Sequence, residues 1–232
     1  MRIITWNMGC AYPGRYRAAH AEAWGQVEAL DPDIALLQEV DQVPDSVDQD
    51  TVVCSPRDRE GGSHTVVYAR RGTVTMLGPE PDLAPALLGQ ALITEVAGLT
   101  PEPLVMVSVQ ALAGSWNTQI ILDAVTGVSA NREFVVGGDF NLAWRFEETQ
   151  HSHSASDQFK AMRDQGWLRP HLKFHAGEQR TLFDGMDQLY QLDHFFVDHR
   201  TLQRSTRCDV VNLDEQDRLS DHAPLLLEVE GE

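Results

Sequence analysis

The sequence predicts an α+β fold in which two β-sheets pack face to face and helices cover their outer surfaces. Strand-like and helix-like segments alternate in the first part of the chain, whereas strand-like segments follow one another in its middle. That combination is typical of a layered sandwich of sheets and helices. No repeat, low-complexity tract or linker interrupts the sequence, so we predict a single domain over residues 1–232.

The first half of the chain supplies one helix and most of the strands. Residues 2–6 (RIITW) predict the first strand, and residues 34–38 (IALLQ) predict a buried strand that stops at Glu39. A helix is predicted between them over residues 15–30, because its apolar residues fall on one stripe and Asp31-Pro32 ends it. Further strands are predicted at residues 64–70, 73–77, 91–96 and 104–109.

The second half of the chain contains two further helices and three strands. One helix is marked by apolar residues at helical spacing from Ile120 to Val128, and a shorter helix is predicted near residues 155–165. A strand at residues 133–138 enters the segment VVGGDFN, whose two glycines are typical of a strand end. The last strands are predicted at residues 192–197 and 224–229.

Composition excludes some classes of protein. The 232 residues are 42% hydrophobic and carry a net charge of −17, which does not favour wrapping of a long polyanion. No apolar run approaches the roughly 20 residues of a membrane span, and we expect no secretory signal because the first residues are strand-like and contain no h-region or small-residue cleavage site. Cys10, Cys54 and Cys208 have no metal-like spacing, and the simplest interpretation is reduced thiols in a cytoplasmic protein.

Polar residues recur where predicted strands begin or end. They are Asn7, Glu39, Asp139 with Asn141, Asp193-His194, and Ser220-Asp221-His222. One such acid or amide is usually a turn or cap residue, but strand ends in layered α/β proteins cluster at one sheet edge. If these residues converge, they supply hard oxygen ligands, which suit Mg²⁺ or Mn²⁺, together with one imidazole. That equipment serves the attack of water on phosphorus.

Five short motifs carry a resemblance to a known family. TWN, LLQEV, GGDFN, LDHFF and SDHAPL, in this order from Thr5 to Leu226, resemble the endonuclease/exonuclease/phosphatase (DNase I-like) superfamily. Its members include abasic-site endonucleases, DNase I-like nucleases and inositol-polyphosphate phosphatases. The resemblance implies a four-layer α/β sandwich with two mixed sheets and a metal-dependent hydrolase acting on phosphoester bonds, with Mg²⁺ as cofactor and Mn²⁺ as a possible substitute.

The resemblance also implies metal-binding residues. Glu39 matches the principal metal-binding glutamate of the family, and Asn7 matches the asparagine that supports the metal or the phosphate. Asp221 matches the acid beside the histidine of the last motif and is a further candidate metal contact.

Four further residues receive catalytic roles from the resemblance. Asp139 resembles the residue that orients or deprotonates the attacking water, and Asn141 the residue that holds phosphate or water beside it. His222 resembles the imidazole that binds the phosphoryl oxygen. Asp193 resembles its carboxylate partner, which fixes the tautomer and favours the charged form.

Candidate substrate-binding residues are less clearly marked. Gln110 stands where the family usually has a phosphate-contacting histidine or tyrosine; it can donate a hydrogen bond but cannot carry charge. Arg145 either reaches phosphate or is simply exposed. Tyr190 belongs to an apolar stretch at residues 183–190 that either lines the substrate pocket or packs on itself.

Two classes of function remain open at this point. The first is a nuclease or phosphodiesterase, with an inositol- or lipid-type phosphatase as the alternative within the enzyme class. The second is a degenerate phosphate-binding member without turnover. No basic stretch supplies six or more phosphate contacts. We therefore expect a monomer that acts on a nucleic acid end, a single strand or a damaged site.

Overall fold

Two mixed β-sheets form the centre of the structure, a computed structural model that describes residues 1–9, 20–57, 62–78, 90–111, 115–129, 131–143, 153–183, 190–213 and 218–231. The first sheet has the strand order β10-β11-β1-β2-β4-β3. Its strands are β1 (Arg2–Asn7), β2 (Ile34–Val40), β3 (Val52–Cys54), β4 (His64–Ala69), β10 (Ser205–Val210) and β11 (Leu225–Val229). Only the β1–β2 pair is parallel among the pairs of this sheet.

The second sheet has the order β5-β6-β7-β8-β9, so each strand pairs with its neighbour in the chain. Its strands are β5 (Thr73–Gly78), β6 (Ala91–Ala97), β7 (Leu104–Gln110), β8 (Phe134–Asp139) and β9 (Asp193–Val197). The β7–β8 pair is parallel and the other pairs are antiparallel. Both predicted features, two sheets and mixed pairing, are confirmed.

Helices cover the outer face of each sheet. They are α1 (His20–Ala29), α2 (Ser115–Ser129), α3 (His153–Asp164), α4 (His171–Phe174) and α5 (His199–Arg204), with a 3₁₀ turn at Gln49–Thr51. Trp24 of α1 packs on the first sheet beside Trp6, and Ile121 of α2 and Phe159 of α3 pack on the second beside Val107. The molecule therefore has the predicted four layers. No helix among the described residues is long and apolar enough to cross a membrane.

The space between the sheets changes from apolar to polar along the strands. Ile3 and Leu36 belong to the cluster between the sheets, and because side chains alternate, Ile4 and Leu37 pack outward. Two residues further along β2, Gln38 faces inward and donates to Ser108 Oγ of the other sheet at 2.8 Å. The Ser108 hydroxyl donates in turn to the Leu37 carbonyl at 3.0 Å. This buried link sets the spacing of the two sheets just below the polar edge.

The glycine pair of VVGGDFN lies close to the end of β8, which ends one residue later at Asp139, as the sequence predicts. A Cβ on Gly137 would lie 2.8 Å from Leu36 Cδ1 of the facing sheet, so this is a point of close sheet-to-sheet contact. Gly138 has φ +158°, and a Cβ there would lie 1.9 Å from the carbonyl oxygen of Val109. Only glycine therefore lets β8 run on to Asp139 against its parallel neighbour.

Two strands, two short helices and the 3₁₀ turn were not predicted from the sequence; one of the helices is α4, with only four residues. β3 has only three residues, too few to show a period, and β10 is an edge strand with the polar sequence STRCDV. α5 is a short helix whose N-cap, Asp198, accepts hydrogen bonds from the backbone N–H groups of Arg200 and Thr201. The predicted helix over residues 15–30 is described from His20 to Ala29.

Candidate active site

Several of the polar residues predicted from strand ends converge at one edge of the sandwich. Asn7 is the last residue of β1, and Asp139, the last residue of β8, is paired with Asp193, the first residue of β9. His222 lies shortly before β11, and Leu182 bridges to it. The edge is buried: Asp139 is 3% exposed and Asp193 is fully buried. The sheets thus bring one amide and two acids from three strands together at this edge.

Asn7 joins the two sheets at this edge. Its Nδ2 donates to Glu39 Oε1 at 3.2 Å and to Asp139 Oδ2 at 3.1 Å. The Gly9 N–H donates to its Oδ1 at 2.9 Å, and since only the oxygen can accept, this bond fixes the amide orientation. The Asn7 oxygen is therefore turned away from the carboxylates. In the structure Asn7 holds two acids together, and its predicted contact with a metal stays a prediction.

Glu39 reaches this position through an irregularity in β2. Regular alternation would place Glu39 on the same outer side as Leu37, away from Asn7. The register of β2 against β4 shifts between Leu37 and Val40, and Glu39 has φ +52°. This bulge turns the Glu39 carboxylate to the edge where it meets Asn7. A bulge with a left-handed non-glycine residue is a strained arrangement that is common next to functional sites.

Asp139 combines turn chemistry with a place in the cavity. Its Oδ1 accepts the backbone N–H of Asn141 at 2.9 Å, which is an Asx turn, and Asn141 adopts φ +50°. Its Oδ2 faces Asn7 and lies 3.9 Å from Nε2 of His222. Oδ1 therefore serves the turn, and Oδ2 belongs to the converged polar residues. Asn141 Nδ2 donates to the Ala111 carbonyl at 2.7 Å.

Asp193 and His222 form the pair that was predicted from the sequence. His222 Nδ1 lies 2.8 Å from Asp193 Oδ2, so the ring donates to the carboxylate and presents Nε2 to Asp139. The histidine backbone is held as well, since Trp6 Nε1 donates to its carbonyl at 2.9 Å. Its backbone N–H donates to Ser220 Oγ at 3.1 Å. These contacts fix both the position and the tautomer of the imidazole.

Burial and neighbouring charges shift the pKa values of His222 and Asp139, the two groups that face each other. Burial alone would lower the pKa of His222, but the negative charges of Asp193, Asp139 and Asp221 outweigh it and raise the pKa to about 10. Burial raises the pKa of Asp139 to about 7, against the opposing charge of His222. His222 is therefore an imidazolium at neutral pH, and Asp139 changes its protonation near neutrality.

Gln110 contacts an acid of the site rather than facing open solvent. Its Nε2 donates to Oε1 of Glu39, the same oxygen that accepts from Asn7. Gln110 is also the register partner of Asp139 in the β7–β8 pair. The described contact is thus one that orients Glu39, and the predicted contact with phosphate stays a prediction.

The other sequence-predicted residues have different surroundings. Asp221 is partly buried, and a Cβ added to Gly9 would lie 3.3 Å from its Oδ1, so its carboxylate lies over the turn that follows Asn7. Tyr190 is 8% exposed and packs with Ala143 and Leu192, and its predicted contact with substrate stays a prediction. Arg145 and most of the stretch at 183–190 lie outside the described residues.

Two residues that position the site were given no role from the sequence, although Ser220 was noted as a polar residue before the last strand. Thr181 Oγ1 accepts the backbone N–H groups of Leu192 and Asp193 at 2.9 and 3.2 Å, and its carbonyl accepts from Ala223. Ser220 Oγ donates to the Asn7 carbonyl at 2.7 Å and so joins the last motif to β1. The SDH motif contained a signal for Ser220, whereas nothing in the sequence around Thr181 distinguishes it from an ordinary loop threonine.

The chemistry of the donor set fits a hard divalent cation. Among the described residues, three buried carboxylates (Glu39, Asp139 and Asp193) share the cavity with one imidazolium. Asp193 Oδ1 is buried without a hydrogen-bond partner, and carboxylate oxygens of Asp139 and Asp193 lie within 4.8 Å of each other. Oxygen-rich sets of this kind suit Mg²⁺, Mn²⁺ or Ca²⁺.

Comparison with known proteins gives a match to one family model. Residues 4–222 match the model of the Endonuclease/Exonuclease/phosphatase family. No curated protein sequence matches the chain significantly.

Solved structures share the whole fold. The 3' phosphatase NExo from Neisseria, bound to a product DNA hairpin, has 18% identity and a TM-score of 0.75, with 99% of each chain covered. An AP endonuclease from Archaeoglobus fulgidus has 15% identity and a TM-score of 0.73, again with 99% of each chain covered. An AP endonuclease from Leishmania major has 18% identity and a TM-score of 0.71, with 97% of this chain and 86% of that chain covered.

Proposed function

The chain belongs to the endonuclease/exonuclease/phosphatase family, whose members hydrolyse phosphoester bonds, and we propose that it is a divalent-metal-dependent phosphodiesterase acting as a nuclease. The observation that carries this proposal is the buried Asp193–His222 pair facing Asp139 across 3.9 Å. A fixed imidazolium and a carboxylate of near-neutral pKa are the acid and base that attack of water on phosphorus requires. In this proposal residues 1–232 form one domain and the protein is a monomer. The free thiols of Cys54 and Cys208 are in line with a cytoplasmic location.

Each side chain has one role in this proposal. Glu39, oriented by Asn7 and Gln110, holds Mg²⁺, or Mn²⁺ in its place, with Asp221 as a further candidate contact. When bound, the ion neutralises charge on the phosphoryl oxygens.

The catalytic side chains act on the water and on the phosphate. Asp139 accepts a proton from the attacking water, and Asn141 holds water or phosphate beside it. His222 donates a hydrogen bond from Nε2 to a phosphoryl oxygen, with its other nitrogen held by Asp193. In the proposal Arg145 and Tyr190 remain candidate substrate contacts.

The proposed substrate is a DNA end, a single strand or a damaged site. Similar structures include a 3' phosphatase bound to a DNA hairpin and AP endonucleases. These names refer to a DNA end and to a damaged site. The net charge of −17 disfavours a long grip on duplex DNA, so recognition depends on few phosphates. Inositol- or lipid-type phosphates are the alternative substrates.

The experiment that tests the proposal is a substrate panel with and without metal. Abasic DNA, single-stranded DNA, RNA, a hairpin with a 3' phosphate, inositol phosphates and bis(p-nitrophenyl) phosphate are each incubated with Mg²⁺, Mn²⁺ or EDTA. We expect turnover of at least one DNA substrate with metal and none in EDTA. Full turnover in EDTA, or turnover of inositol phosphates alone, would contradict the proposal.

We predict that Glu39→Gln raises the Mg²⁺ concentration for half-maximal activity at least about tenfold, since even loss of a residue that supports a ligand costs that much. The Mn²⁺ dissociation constant, measured by calorimetry on protein without substrate, should rise in parallel. Glu28→Gln is the matched control, because Glu28 is exposed on α1 and loses the same charge. An unchanged metal requirement in Glu39→Gln would remove Glu39 from the site.

Gln110→Ala is predicted to have a smaller effect. The substitution removes one neutral donor from Glu39 while Asn7 remains, so kcat/KM should fall about two- to tenfold, the range of a single hydrogen bond. Gln110→Glu should be worse than alanine, because a second carboxylate would face Glu39. Steady-state kinetics at saturating Mg²⁺ measure both, and wild-type rates in both variants would show that the contact has no role.

A further inference from the structure

Two arginines meet on one aromatic ring beside the catalytic histidine. The guanidinium carbon of Arg218 lies 3.8 Å from the centroid of the Phe183 ring, and that of Arg180 lies 4.7 Å from it. A heavy atom 3.8 Å from the centroid must lie over the face of the ring, since a position in its plane would overlap the ring edge. Neither arginine belongs to the catalytic set described above.

The segment that carries this ring is fixed to the active site. The Phe183 N–H donates to the Asp221 carbonyl at 2.6 Å, and Leu182 bridges to His222. Phe183 also packs against the cluster between the two sheets. Arg218 precedes His222 by four residues, which span at most about 14 Å. The ring and the two guanidinium groups on it therefore lie close to the edge of the sandwich that carries His222.

The chemistry of the pair fits phosphate. A guanidinium that lies over a ring has N–H donors in its own plane that suit a phosphate. Arg180 already donates Nε to the Leu182 carbonyl at 2.7 Å, which fixes its position beside the ring. Cations are needed beside the site because its three buried carboxylates repel an incoming phosphate strand. The net charge of −17 adds to this repulsion.

We propose that Arg180 and Arg218, held against Phe183, form a phosphate clamp for the phosphodiester next to the one that is cleaved. The clamp rests on the proposed function and specifies its substrate as an oligonucleotide strand rather than a compound with a single phosphate. A nucleic acid strand supplies a second phosphate beside the scissile one, and bis(p-nitrophenyl) phosphate does not.

Binding without turnover tests the clamp separately from catalysis. The probe is a fluorescein-labelled single-stranded 12-mer, in DNA and RNA forms, whose anisotropy is measured in EDTA at 50 to 200 mM salt. We expect Arg218→Gln and Arg180→Gln each to weaken binding about tenfold, the cost of losing a hydrogen bond to a charged group. Each should lower the slope of log K against log salt by about 0.7, the value for one phosphate contact on a single strand.

Matched variants distinguish the clamp from a general charge effect or misfolding. Arg200→Gln removes the same charge at the exposed start of α5, beyond the far end of β9, and should bind within twofold of wild type. Phe183→Leu keeps an apolar anchor and loses the ring face, and should weaken binding less than either arginine variant. Thermal unfolding of each variant verifies that it is folded.

The outcomes separate the two proposals. With metal, the loss of kcat/KM in Arg218→Gln should be at least fivefold larger on the 12-mer than on bis(p-nitrophenyl) phosphate. Equal losses on the two substrates, or equal weakening of binding by all three arginine variants, would overturn the clamp. Arginine-dependent binding by a wild-type protein that hydrolyses no substrate of the panel would support the clamp and refute the proposed function.

Discussion

Replacing His222 by alanine is expected to lower kcat about 10²-fold or more. Its Nε2 is the donor that the buried Asp193 pair aims into the cavity, and losing one positioned donor to a developing oxyanion costs about that much. The measurement is single-turnover hydrolysis of the best DNA substrate from the panel at saturating Mg²⁺. His199→Ala is the matched control, because His199 is an exposed histidine at the start of α5.

Asp193→Asn should cost less than His222→Ala and should change the pH profile. The Asp193 carboxylate is the largest of the charges that raise the pKa of His222 to about 10 against the effect of burial. In the wild type the imidazolium is present below this pKa, so activity falls only as the pH rises towards 10. Without the carboxylate the pKa drops, and the alkaline decline in rate should move to lower pH.

Two results would contradict the roles assigned to Asp193 and His222. If Asp193→Asn lowers the rate and leaves the alkaline decline where it is in the wild type, Asp193 supports the structure and does not tune His222. If His222→Ala retains a rate within a few-fold of wild type, the imidazole does not touch the reacting phosphate. Circular dichroism of both variants controls for unfolding, because Asp193 is fully buried.

The convergence of the site was predictable because strand ends meet at sheet edges. Asn7, Asp139 and Asp193 were each identified as polar residues bordering an apolar run, and pairing of those runs into sheets brings them together. The layered arrangement followed in the same way from apolar stripes with periods of two and of 3.6 residues. Such patterns are local in the chain, so the sequence displays them directly.

The orientation of the same residues was not predictable, because it depends on contacts between distant parts of the chain. The Glu39 bulge arises in the pairing of β2 with β4, and the Asn7 amide is set by Gly9 and by two acids from different strands. Gln110 was expected to contact phosphate, but its described partner is Glu39, 71 positions away in the chain. A motif names the residue type at each position and not which atom faces the cavity.

Asp139→Asn is expected to lower kcat about 10³-fold, within the range for loss of a general base. Asparagine preserves the shape of the side chain and can still accept the Asn141 N–H, so the turn should survive while the base is lost. Because burial raises the pKa of Asp139 to about 7, the wild-type rate should fall as the pH drops below 7, where the carboxyl is protonated. This acidic decline should be absent from the residual activity of Asp139→Asn.

Asp198→Asn is the control for loss of an acid. Asp198 is the N-cap of α5, at the far end of the strands from the site, and the effect of its substitution should be on stability alone. An Asp139→Asn enzyme that kept both the wild-type rate and its acidic decline would assign the base to another residue.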